Sequence, residues 1–545
     1  MNSPHGHRSD AFRPPVMGRN GMVTAGHALA SQAGIHVLQL GGNAIDAAVA
    51  TAAALGVVEL QGSGMGGDGF LLLYEAATGA VSAVNATGPA PQAATRERYL
   101  ADGGIPMKGI RSVSVPGLVD GWLLAHERHG LLPLEQIFAP AIDLCENGFP
   151  LSHRLAEGLQ AELPRFAEDP YTRAIFTNDG APLAPGDLLV QTNLGQTYRK
   201  LAAGGRDVFY EGEIAQTLVE FSQAYDGLLA ANDLANYHAH WDDPIQTTYR
   251  GYTVYEMPPN SSGHILLQEL NMVEHFDLAA LGCNSAASVH LMVEAKKLAF
   301  ADRERYVADP KWVDVPIAGL LSKDYGAQRA QRIDPHRAAT DVPPGLPEQH
   351  EDTTCFCVVD RWGSAVCVLQ SIQSGFGSSL IAGDTGILLN NRMTYWHLDA
   401  DHPNCLMPGK RVRHTMNPVI VTREGKLYLV CGTPGADTQV QTNLQLLTHV
   451  IDFGMNPQEA VEAPRWRSLQ NPMESTIPHT CADLLQLEGR FPAELRNGLS
   501  QRGHELEILP DWGGAGSAQM IMIHPTSGAL IGGSDPRRDG YAVGY

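Results

Sequence analysis

Positive charge is scarce in this chain. Lysine and arginine number 38 against 59 aspartates and glutamates, a formal net charge of −21 over 545 residues. A surface of that sign repels nucleic-acid phosphates and anionic lipid, so no nucleic-acid or membrane partner is expected and any basic site has to be local. Long apolar runs are missing as well. The longest stretch of small apolar residues, from Ala44 to Leu60, is broken by Asp46 and Thr51 and falls short of the ~20 residues that cross a bilayer. The amino-terminal MNSPHGHRSDAFRPP carries no apolar segment of the secretory type, and a cytoplasmic location is the resulting expectation. Cysteines are few, at 145, 283, 355, 357, 367, 405, 431 and 481, and no Cys-x-x-Cys pair occurs. That spacing argues against a disulfide scaffold or a zinc site, and neither metal nor cofactor is expected. Cys355 and Cys357, two apart in an apolar run, read as one face of a buried strand.

The residues that are present describe a loop-rich globular chain: 44% hydrophobic residues, 18% charged, 57 glycines and 35 prolines. The length suggests roughly three to four units of ordinary size, or fewer large ones. No fixed-period repeat occurs. Residues 22 to 60 show helical spacing on both sides of Gly41-Gly42-Asn43, which reads as two helices joined by a glycine turn. The glycine loop Gly62-Ser63-Gly64-Met65-Gly66-Gly67-Asp68-Gly69 feeds the strand-like Phe70 to Tyr74. Nucleotide fingerprints place their glycines after a strand and before a helix, so this loop is read as close backbone packing in a core. Residues 116 to 150 and 289 to 308 read as further helices, making the first 330 residues mainly helical with a strand pair near 70 to 86. Residues 335 to 352 are proline-rich and charged, as an exposed linker would be. After them come strand patterns: 354 to 370 around the turn Asp360-Arg361-Trp362-Gly363, then 387 to 389, 419 to 421 and 427 to 430.

The chemistry centres on Thr353-Thr354, a strand start that directly follows the linker. A hydroxyl there can attack the preceding peptide carbonyl, pass through an ester, and be left as a new amino terminus. The freed α-amine, with an ordinary pKa of ~7.7 to 8.0, then serves as base for its own hydroxyl, with no metal, cofactor or separate triad.

At this point the chain resembles the γ-glutamyltranspeptidase family of N-terminal-nucleophile hydrolases. The resemblance rests on Asp352 to Asp360 (DTTCFCVVD), Gly363 to Val366, Ser374 to Ser378 (SGFGS), Gly386 to Asn391 (GILLNN), Gly432 to Ala436 (GTPGA), Glu462 to Arg465 and Ser534 to Arg537. Upstream, Gly41 to Ala47 and Pro258 to Gly263 belong to the same pattern, so the likeness spans residues 22 to 545. It implies a four-layer αββα sandwich made as one precursor and cut between Asp352 and Thr353. The implied organisation is a disordered tail at 1 to 21, a large subunit at 22 to 352, and a strand-rich small subunit at 353 to 545. The two would stay together as a heterodimer, with a dimer of heterodimers as a further expectation. The resemblance assigns Thr353 as nucleophile and Ser371 as the hydroxyl that orients it. Gly435 and Ala436 stand where two backbone amides form the oxyanion hole, a position at which Ala is tolerated because the hydrogen bond comes from the N–H.

The substrate positions depart from the family pattern. Thr87 stands where an arginine holds the glutamyl α-carboxylate. Tyr395 stands where an aspartate binds the α-amino group, with Arg392 nearby. His414-Thr415 replaces a serine pair, and Gln373 replaces an asparagine. Losing the ammonium's partner and gaining a guanidinium turns the preference toward an anion. Arg392, with His414 or Arg413, is read as the carboxylate holder, unless it pairs with an acid such as Asp384. The expected function is hydrolysis of a small carboxylate-bearing amide, as in the oxamate amidohydrolase type. A rebuilt γ-glutamyl enzyme, a glutaryl-type cephalosporin acylase and a processed but inactive binding protein are the alternatives.

Overall fold

The computed structural model describes residues 11–340, 353–469 and 483–545. Fourteen of its strands form two seven-stranded sheets, antiparallel throughout. In chain order these strands are β1 (Val16–Gly18), β2 (Met22–Ala25), β3 (Asp68–Glu75), β4 (Ala80–Ala86), β5 (His240–Asp242), β6 (Ile245–Tyr249), β7 (Tyr252–Glu256), β8 (Thr354–Val359), β9 (Ala365–Ser371), β10 (Val419–Arg423), β11 (Lys426–Gly432), β12 (Gln519–Ile523), β13 (Leu530–Ser534) and β14 (Tyr541–Gly544). The first sheet runs β14-β2-β8-β9-β3-β4-β5 and the second β1-β13-β12-β11-β10-β7-β6.

Side-chain alternation explains the layering. Along β8, Cys355, Cys357 and Val359 point into a core between the sheets, which they share with Met257, Ile420, Val430 and Ile521 of the second sheet's side. Phe356 and Val358 point the other way, into a core roofed by helices α1 (Ala28–Gln39), α2 (Ala44–Val58), α3 (Leu134–Glu146) and α4 (Thr192–Tyr210). The second sheet has its own outer core under α5 (Gly263–Val273), α6 (Ala286–Tyr306) and α7 (Thr438–Ile451). The result is the expected αββα sandwich. Both faces of the central strands β8 and β9 are covered, which is why they read as near-continuous apolar runs, whereas the edge strands β5 and β6 are partly exposed and more polar. Among the described residues no helix is long and apolar enough to cross a membrane.

Several expectations need correction. Met22–Ala25 is a strand and not the start of a helix, because it pairs with β8 and β14 within a sheet. The tail expected to be disordered over 1 to 21 is ordered from residue 11 where described: Val16–Gly18 pairs with β13, and the Arg13 N–H donates to Glu462 at 2.9 Å. Residues 387 to 389 form only isolated bridges, Gly66 to Leu389 and Ile381 to Leu388. The first half also contributes β5, β6 and β7, so it is less exclusively helical than its periodicity suggests. Most of the linker, including Asp352, lies outside the described residues.

Two packing details set the place of Thr353. The β8/β9 register pairs Thr354 with Gln370, which puts Thr353 beside Ser371. Across the gap, a Cβ added to Gly432 would lie 2.7 Å from Cys355 Sγ and 3.2 Å from Cys367 Sγ, so the end of β11 packs tightly on the strand that carries Thr353. Gly432→Ala is therefore expected to overpack the inter-sheet core and cost about 1–3 kcal/mol, read as a lowered denaturation midpoint.

Candidate active site

Thr353 is almost fully buried, and its Oγ1 donates to Ser371 Oγ at 3.2 Å. Ser371 Oγ in turn accepts the Gln373 backbone N–H at 2.8 Å. The turn that follows β9 is unusual, because Gln373 sits at φ 85, a left-handed conformation that residues other than glycine rarely adopt. Its side-chain amide is buried, and neither Nε2 nor Oε1 has a hydrogen-bond partner among the described residues. An unpaired buried amide costs free energy, and a ligand that bonds to it recovers that cost.

Gly435 and Ala436 lie in the turn between β11 and α7, at φ 124 and φ 45. Their carbonyls start the helix by accepting from Thr438 and Gln439, while neither N–H donates to an acceptor among the described residues. Two adjacent unpaired N–H groups at the head of a 14-residue helix form a site for developing negative charge. The turn leaves β11 three residues after Gly432, which itself packs on Cys355, so it is brought to the end of the sandwich where β8 begins. Ala436 keeps the N–H of a glycine at this position but holds a backbone conformation more natural to glycine.

The departures from the glutamyl pattern form one buried network. Arg392 makes a two-pronged ion pair with Asp68, Nε to Oδ2 and Nη2 to Oδ1, both at 3.0 Å. His414 Nε2 lies 3.2 Å from Asp68 Oδ2. Arg392 also covers the Tyr395 ring at 5.0 Å, and that ring stacks on His414. Thr87 joins through Asn260, whose Nδ2 donates to Thr87 Oγ1 at 3.1 Å and whose carbonyl accepts the His414 N–H at 2.6 Å. Thr415 is buried next in line, its carbonyl held by Asn417. Asp68 is the direct cross-strand partner of Ser371, so the network reaches the hydroxyl pair through this residue.

This arrangement corrects one reading and sharpens another. Arg392 pairs with an acid, but the acid is Asp68 and not Asp384, and its charge is neutralised where a free carboxylate holder was expected. Arg413, the other candidate cation, is committed to Glu304 at 2.9 Å and to the Arg303 carbonyl. Burial opposes ionisation of Asp68, yet Arg392 and then His414 hold its pKa below the ordinary carboxylate value. Burial first, and Arg392 second, push His414 down to about 4, so it is neutral at pH 7. Asp68 was missed because it sits in a loop read for its glycines. The signal was there: one acid in a glycine run, in a chain where a new arginine needed a partner. The glycines do allow close packing, since a Cβ on Gly67 would lie 2.2 Å from the Ser371 carbonyl oxygen.

Asp68→Asn or Arg392→Gln should each cost about 3–5 kcal/mol by stranding a buried charge, while the double variant recovers much of that loss. Denaturant unfolding of the three variants measures it. His414 predicts a pH effect. Unfolded, it binds a proton near 6.5; folded, only near 4, so the unfolded state binds more protons in that window and stability falls as pH drops through it. His414→Gln should make the loss between pH 7 and pH 5 shallower.

Comparison with known proteins agrees with this geometry. The family described as Gamma-glutamyltranspeptidase matches residues 30–545. The chain is 38% identical to the glutathione hydrolase-like YwrD proenzyme of Bacillus subtilis, over 97% of this chain and 99% of that one. It is 34% identical to the oxamate amidohydrolase proenzyme of Klebsiella pneumoniae, over 96% and 98%. Among solved structures, cephalosporin acylase from Bacillus halodurans superposes with a TM-score of 0.90 at 35% identity, covering 100% of this chain and 99% of that one. This chain belongs to the gamma-glutamyltranspeptidase family and is an N-terminal-nucleophile hydrolase, an enzyme that cleaves amide bonds.

Proposed function

We propose that the chain is a self-processing N-terminal-threonine amidohydrolase that acts on a small carboxylate-bearing amide of the oxamate kind. The observation that carries the reading is the hydrogen bond from Thr353 Oγ1 to Ser371 Oγ at the head of a central strand. In the precursor, Thr353 Oγ attacks the carbonyl carbon of Asp352, the C–N bond breaks, and the nitrogen stays on Thr353 as its α-amine. Water then hydrolyses the ester and releases the carboxylate of Asp352. The products are chains of 352 and 193 residues that remain together as a heterodimer.

In turnover the α-amine takes the Thr353 hydroxyl proton as Oγ attacks the substrate amide. The tetrahedral oxyanion is bound by the N–H groups of Gly435 and Ala436, each such donor worth about 2.7–4 kcal/mol. The leaving amine departs with the proton, and water, deprotonated by the same α-amine, cleaves the acyl ester.

Substrate choice depends on the groups that the pocket lacks. A glutamyl group brings an α-carboxylate and an α-ammonium, and Thr87 and Tyr395 offer neither an arginine nor an aspartate to meet them. With Arg392 neutralised by Asp68, one buried polar group without a partner among the described residues is the amide of Gln373, two residues from Ser371, and its N–H donors suit a short carboxylate or carbonyl. The name of the Klebsiella relative supports the same class. The whole-chain likeness to a cephalosporin acylase favours a second reading, a longer dicarboxylate-derived acyl group.

Thr353→Ala should abolish cleavage and turnover, whereas Thr353→Ser should retain both at reduced rate. Ser371→Ala should lower kcat by about tenfold or more, with Ser371→Thr mild. Ammonia release from oxamate, set against glutamate release from glutathione and acid release from a glutaryl amide, decides the substrate. Glutathione turnover with kcat/KM of about 10⁴ M⁻¹s⁻¹ or above would make this an ordinary γ-glutamyl enzyme with a rebuilt pocket.

A further inference from the structure

Glu59 closes helix α2 at its C-cap, the end where the helix dipole disfavours a carboxylate, and it is almost fully buried. Burial of a charge in such a place is costly unless partners hold it. The partners that hold it lie around Thr353. Glu59 Oε1 is 3.2 Å from Arg538 Nη1, and Oε2 accepts the Thr354 hydroxyl at 2.5 Å. The same Arg538 Nη1 donates to the Thr353 carbonyl oxygen at 2.9 Å. Room for this carboxylate is made by Gly26, where an added Cβ would sit 2.4 Å from Glu59 Oε2.

We infer that Glu59 and Arg538 are positioning residues for the nucleophile, an ion pair that fixes the Thr353–Thr354 peptide plane and thereby the direction of the Thr353 amine and hydroxyl. Arg538 grips the carbonyl on one side of that peptide, and Glu59 grips the hydroxyl of the residue on the other. Both act through Thr353 and not on the substrate. The pair also spans the cut: Glu59 lies in the segment before residue 353 and Arg538 in the segment after it. Before cleavage the strand holds Thr353 through the bond to Asp352 as well. After cleavage that tether is gone, and the carbonyl contact to Arg538 joins the hydroxyl contact to Ser371 in restraining a free amino terminus whose amine has to reach its own hydroxyl. The clamp is therefore expected to matter more for turnover than for processing.

The inference rests on the reading of Thr353 as nucleophile. The test measures, on full-length protein, the half-life of self-cleavage on a denaturing gel, and then kcat and KM of the matured enzyme on whichever amide the wild type turns over. Arg538→Ala is expected to lower kcat by about tenfold or more with KM within about twofold of wild type, to slow cleavage by less, and to be partly rescued in Arg538→Lys, which keeps the charge but only a point donor. Thr354→Val, which keeps the branched shape and removes the hydroxyl that Glu59 holds, is expected to lower kcat several-fold in the same direction. Should Arg538→Ala fail to fold, Arg538→Lys and Thr354→Val decide alone. Variants that match wild type in kcat, or that lose melting temperature and raise KM while kcat is kept, overturn the inference. An uncleaved yet active wild type overturns the reading beneath it instead.

Discussion

A hydroxyl-to-hydroxyl hydrogen bond, Thr353 to Ser371, is the contact on which the site is organised, and it exists only if two strands keep one register. A slip of one residue between β8 and β9 would turn Thr353 away from Ser371 and drive Cys355 and Cys357 out of the inter-sheet core. Burial on both faces of the first sheet makes such a slip expensive, so the core that stabilises the sandwich also fixes where the Thr353 hydroxyl points.

The catalytic end of the sandwich joins three kinds of fixed charge. A helix start with two N–H groups that have no acceptor among the described residues carries partial positive charge. The Asp68–Arg392–His414 cluster is close to neutral overall, because the carboxylate balances the guanidinium and burial keeps the imidazole uncharged. The Glu59–Arg538 pair holds the Thr353–Thr354 peptide.

Much of this was legible in the sequence, and for physical reasons. Thr353 stood out locally as a hydroxyl at a strand start, whereas Ser371 and the Gly435-Ala436 turn came from the family resemblance. The alternation of Cys355 and Cys357 marked one buried face, as the strand shows. Long-range pairing was not legible. Asp68 and Arg392 are 324 residues apart, and nothing in either neighbourhood names the other. The same holds for Glu59 and Arg538, which are 479 apart. Met22–Ala25 was misread because a short strand beside two helices shares their apolar pattern, and only pairing with distant strands makes it one. Val16–Gly18 escaped notice for the same reason, being a three-residue edge.

The most direct measurement is the intact mass and amino-terminal sequence of the purified, active protein. Two associated chains, the smaller beginning with Thr353 and 193 residues long, are predicted. A fully active single chain that retains the bond between Asp352 and Thr353 would contradict the assignment of Thr353 as an amino-terminal nucleophile.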